Sequence, residues 1–218
     1  MATNSHENSP WYLKVQTIPK PVIYVVLVIA LLIPLFRPLK LPLALSPNTR
    51  KAFALIDSLP EGSYVFHSIA MLPATDAELW PQMVALSRHY MAKGLKVIYW
   101  SYTQEGFMYA DKIRTEVAPE YDGEYGKDFV IMPFKAGQES AVMGLKDFYG
   151  LFTADAYGTS LNDLDLLKSF KGMADLSLIV INTGSDDLTY FVSKYAPGGG
   201  GDCTCLAIRN PVFGFGPD

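Results

Sequence analysis

The chain has 218 residues, a net charge of −4, half of its residues apolar and only two cysteines. An acidic balance without a basic stripe speaks against a nucleic-acid surface, and a lone Cys203-Thr204-Cys205 speaks against a disulfide-stapled exported scaffold. One ordinary folded domain remains once tail and anchor are set aside.

Residues 1–18 read as a flexible tail and residues 19–36 as one transmembrane helix. Pro21 to Phe36 holds no charge and one polar side-chain group. Eighteen residues at about 1.5 Å each reach about 27 Å, near the lower limit for a bilayer core. Trp11 and Tyr12 precede the segment and Arg37 and Lys40 follow it, as interfacial anchors do. A cleaved signal peptide is the rival reading, with Lys20 as its basic region and Ala44-Leu45-Ser46 as its cleavage site. The stretch carrying Arg37 and Lys40 separates that site from the apolar run, which disfavours cleavage. Lys14 and Lys20 lie before the span, and Arg37, Lys40, Arg50 and Lys51 after it, so the positive-inside tendency puts the large domain in the cytoplasm.

Residues 37–47 form a stalk kept extended by Pro38, Pro42 and Pro47. Residues 48–197 then alternate apolar runs with amphipathic ones. Asn48 caps an expected helix from Thr49 to Ser58. Strands are expected near 63–69, 96–102, 128–134 and 177–182, with helices over 76–93, 105–117, 138–152, from Ser160, and from Ser185 to Tyr195. Gly94 stops the first long helix, and Ser160 with Asp163 has the spacing of a capping box. Near-continuous apolar strands alternating with helices imply an α/β fold, a doubly wound, Rossmann-like three-layer domain around a mainly parallel sheet.

Ligands of such sheets bind outside the carboxyl ends of the strands, so the loops there supply the candidates. A ligand would meet Ser68, Ser101, Lys135, Gly137, Thr183 and Ser185. Lys135-Ala136-Gly137-Gln138 at a helix start offers N–H groups and a cation to an anion, although no glycine fingerprint follows the first strand. Asp186 and Asp187 beside Asn182 could hold Mg²⁺, but acids in a first helical turn are favoured by the dipole without a metal. His67 beside Ser68 points to the opposite face of a strand and reads as structural. Cys203 and Cys205 lack the four ligands of a zinc site. No catalytic residue, metal or cofactor is assigned.

From about Arg50 to Tyr195 the chain resembles a family of membrane-anchored bacterial and archaeal proteins with a Rossmann-like domain and no assigned activity. Leu59-Pro60-Glu61-Gly62-Ser63, Lys93 to Ile98, the Lys135 to Glu139 loop and Asp155-Ala156-Tyr157-Gly158-Thr159 carry the resemblance, which implies the anchored α/β architecture. Residues 198–218 form a glycine-rich tail. Two origins are open for it: a one-base shift that replaced an apolar strand, or a coil whose Cys205 to Ile208 makes a last edge strand. The expected role is a non-catalytic accessory or assembly subunit, with the lipid bilayer and other membrane subunits, or further copies of itself, as partners. The alternative is an enzyme or sensor holding a small anionic or nucleotide-like ligand at the strand ends.

Overall fold

The computed structural model describes residues 19–36, 46–184, 188–195 and 204–209. Two compact units divide between Ser46 and Pro47. The first holds helix α1 (Lys20–Phe36), 17 residues long and apolar on every side. At about 1.5 Å per residue it measures about 25 Å, short of a hydrocarbon core of about 30 Å. No helix among the described residues is long and apolar enough to cross a membrane. The expected span is therefore a helix of nearly the expected bounds that falls short in length. Most of the proline stalk and of the glycine-rich tail lies outside the described residues.

The second unit opens with α2 (Pro47–Asp57), with Pro47 as its first residue, where a missing N–H costs nothing. The expected helix at 49–58 thus begins two residues earlier. Then follow β1 (Tyr64–Ala70), α3 (Asp76–Ala92), β2 (Lys96–Trp100), α4 (Gln104–Lys112), β3 (Phe129–Ile131), α5 (Glu139–Gly144), α6 (Phe148–Leu151), β4 (Leu176–Thr183), α7 (Leu188–Tyr195) and β5 (Thr204–Arg209). All pairings are parallel, in the order β3-β2-β1-β4-β5. Residues 204–209 therefore form a strand beside β4 rather than a tail.

Alternation along the strands sends side chains to two cores. Phe66, Ile98, Trp100, Val130, Ile179 and Ile181 pack with Val142, Phe148 and Phe191. Val65, Ile69, Val97, Tyr99, Leu178 and Val180 pack with Leu79, Met83, Tyr90 and Ile113. Both faces of the sheet are covered, which is why its strands read as near-continuous apolar runs. Gly94 ends α3 as expected: its φ of 62° suits a residue without Cβ, and Leu95 N–H reaches back to Tyr90 O at 3.0 Å.

Two expected helices are broken. The one over 138–152 splits because the Asp147 side chain accepts from Gly150 N–H and starts a new turn. The one from Ser160 is replaced by 3-10 turns over Leu161–Asp163 and Asp165–Ser169. Leu164 between them is extended, and Leu166 N–H donates to Gly126 O at 2.7 Å instead of to its own helix. Ser160 makes no side-chain capping bond.

The outer edge of β3 is closed by the chain itself. Gly126 N–H donates to Phe129 O at 2.8 Å, Ala156 N–H to Ile131 O at 2.9 Å, and Ile131 N–H to the Tyr125 hydroxyl at 3.4 Å.

Candidate functional site

The strand order reverses between β1 and β4, so the crevice such sheets use lies between the turns that leave these two strands. There Ser68-Ile69-Ala70 stands opposite Ile181-Asn182-Thr183. The turn after β1 is Met71-Leu72-Pro73-Ala74-Thr75, with a 3-10 turn over Pro73–Thr75. A phosphate cradle would need backbone N–H groups aimed outward. Pro73 has none. Leu72 N–H donates to Thr75 Oγ1 at 3.2 Å, and Thr75 N–H donates to Leu72 O at 2.9 Å. The Thr75 hydroxyl donates to Leu72 O at 3.0 Å.

From the other side Gly184 closes on this turn. A Cβ placed on it would lie 2.8 Å from Thr75 Cγ2. The two turns thus touch, and the glycine after β4 serves close packing.

Ser68 is fully buried and its hydroxyl has no hydrogen-bond partner. Its register neighbour on the same face, Trp100, is also buried, with Nε1 unpartnered. The Ser101 hydroxyl, by contrast, is committed to the backbone. It donates within reach of Ile69 O (2.6 Å) and Thr103 O (2.8 Å), and accepts from Thr103 N–H at 2.9 Å. Thr183 is buried at the end of β4. Ser185, with Asp186 and Asp187, lies outside the described residues.

Lys135 is half-buried, its ammonium 5.8 Å from the centre of the Phe152 ring. Gly137 is exposed at φ 119°, which glycine adopts without cost, and Gln138 follows at φ 39°, a strained position for a residue with a side chain. The helix they lead into has six residues and carries Glu139 in its first turn. A short helix with its own carboxylate at its start holds an anion poorly.

His67 is fully buried in β1. It lies between Tyr90 and Tyr99, with ring centroids at 5.8 and 5.5 Å, and burial pushes its pKa down to about 3. Neither ring nitrogen has a partner. The Tyr99 hydroxyl donates to Ser87 at 2.8 Å.

Sequence reasoning missed the polar cluster around Asp155. This buried carboxylate accepts from Tyr157 N–H (2.9 Å), Thr159 N–H (2.7 Å) and the Tyr125 hydroxyl (2.7 Å). Beside it the Tyr157 hydroxyl donates to Asp111 Oδ1, which Arg114 Nε also reaches at 2.8 Å. Burial first, and then the Asp111 bond, pushes the Tyr157 phenol up to about 12. The available signal was Asp155 two and four residues before its amide partners, the spacing by which an Asx side chain organises a turn.

At the opposite, amino ends of the strands lies an open groove of about 590 Å³ lined by Glu61, Gly62, Gly94, Lys96, Lys127, Asp128 and Asp165. Its charges are of both signs, and Lys127 is engaged by Glu124 at 3.1 Å. Among the described residues, no three His, Cys, Asp or Glu side chains group to hold a metal. No protein-family model, curated protein or solved structure matches this chain.

Proposed function

We propose that the chain is a membrane-anchored, non-catalytic accessory or assembly subunit that presents its α/β domain to a larger membrane protein complex. The observation that carries this reading is the turn after β1. Pro73 and the Leu72–Thr75 bonds leave it few free donors at the point where a Rossmann-like sheet otherwise receives a phosphate. Leu72 and Phe134, which follow β1 and β3, are instead exposed by 47% and 40%. Exposed apolar side chains at the strand ends, beside an inward-bonded turn, suit contact with protein better than recognition of an anion. Helix α1, charge-free from Pro21 onward, supports the anchor, and Arg37, Lys40, Arg50 and Lys51 support a cytoplasmic domain.

Purification in mild detergent tests the proposal. Stoichiometric recovery of other membrane subunits, with no small molecule by mass spectrometry, is the expected result. A monomer carrying a nucleotide or a metal overturns it.

A second reading rests on Ser68 and Trp100. Two buried donors without acceptors on neighbouring strands suit a ligand that brings a carbonyl or carboxylate oxygen. That reading makes the domain a sensor or enzyme, and the same mass spectrum distinguishes it.

A further inference from the structure

Helix α1 is unusual in two ways. It is 17 residues long, and no side chain from Pro21 to Phe36 is charged. Val22, Tyr24, Val26, Ile29, Leu31 and Ile33 are all exposed, so the apolar surface runs around the whole helix. A helix that lies flat in the headgroup region needs one polar face, and a helix apolar on all sides needs apolar surroundings throughout. Its length of about 25 Å is then the thickness it can satisfy.

Charge shows which surroundings these are. Between Glu7 and Asp57 the sequence has no acidic residue and carries Lys14, Lys20, Arg37, Lys40, Arg50 and Lys51. The whole chain is net acidic at −4, so this stretch, basic residues without acids, stands out as a local excess of positive charge on either side of the apolar helix. Basic residues flanking an apolar stretch complement anionic headgroups, each worth about 1 kcal/mol near such a surface.

Resting on the membrane-anchor reading above, we propose that α1 selects a thin, anionic bilayer, one whose hydrocarbon core is near 25 Å rather than the average of about 30 Å. In a thicker bilayer Lys20 and Arg37 would be drawn into the apolar layer, or the lipid would have to thin around the helix. In a thin one both ends reach the interface with the helix upright.

The full chain, reconstituted from detergent, tests this in vesicles of dimyristoleoyl, dioleoyl or dierucoyl phosphatidylcholine, each with and without a fixed share of phosphatidylglycerol. Alkali-resistant integration is read after flotation. Integration should be highest in dimyristoleoyl vesicles and about fivefold or more lower in dierucoyl ones, and phosphatidylglycerol should raise it. Inserting three leucines between Leu31 and Leu32, which adds about 4.5 Å, should move the optimum to dioleoyl vesicles. Equal integration at every thickness, or no shift on lengthening, overturns the selectivity and leaves the anchor standing. Indifference to phosphatidylglycerol overturns the anionic half. Binding that alkali strips from every vesicle overturns the anchor itself, and the selectivity with it.

Discussion

The Tyr125 hydroxyl donates to Asp155 Oδ2 at 2.7 Å across 30 residues of sequence, joining the loop before β3 to the loop that follows α6. The other oxygen of the same carboxylate gathers the N–H groups of Tyr157 and Thr159. One buried side chain thereby fixes two loops.

Replacing Asp155 by Ala removes an acceptor from three donors at once. The expected loss is about 3 kcal/mol, because hydrogen bonds to a charged group are strong and the donors left behind are part-buried. Tyr125→Phe removes one donor and should cost about 1 kcal/mol. Urea denaturation of the purified chain measures both, and a loss below that of Tyr125→Phe would show that Asp155 is not the hub.

His67 makes stability depend on pH in a definite direction. Burial lowers its folded pKa to about 3 from an ordinary 6.5, so the unfolded chain binds the proton first. The contribution is complete above about pH 6.5 and is lost as pH falls towards the folded pKa. The slope is about 1.4 kcal/mol per unit, or about 2 kcal/mol lost by pH 5. His67→Phe should flatten that part of the profile relative to the parent. An unchanged acid limb in the variant would assign the loss to other groups.

Gly106 has no room for a methyl group. A Cβ there would lie 2.0 Å from Ser101 Oγ and 2.8 Å from Ile69 O, and the latter is backbone in the central strand. Gly106→Ala should destabilise by about 1–3 kcal/mol through overpacking. A denaturation midpoint equal to that of the parent would refute the close approach.

The proposed orientation has its own test. Protease added to intact spheroplasts should leave residues 50–218 uncut, whereas protease added after lysis should cut them. Digestion from outside would reverse the assignment drawn from Arg37, Lys40, Arg50 and Lys51.

The sheet was legible because its signal is period and content. The runs at 63–69, 96–102 and 177–182 meet the observed β1, β2 and β4 within two residues. β3 is shorter than its apolar run: its ladder to β2 ends with Met132 N–H donating to Tyr99 O at 2.8 Å, and Pro133 follows. Helices over 138–152 and from Ser160 were misjudged because side-chain bonds and a tertiary bond to Gly126 outweighed local propensity. The site was legible only in its address. Position near a strand's carboxyl end identified Ser68 and Ser101 together, yet Ser68 lies within β1 with its hydroxyl unpartnered and Ser101 is bonded to backbone on two sides. That difference depends on which neighbours the fold brings to each, which spacing does not encode.

The closed flank of β3 bears on how copies of the domain behave when crowded together. An open strand edge is where collisions between crowded copies turn into fused sheets. On this flank Gly126, Ala156 and Tyr125 already occupy the groups an arriving strand would seek. Neighbouring copies can therefore press together there and separate again without polymerising through that side.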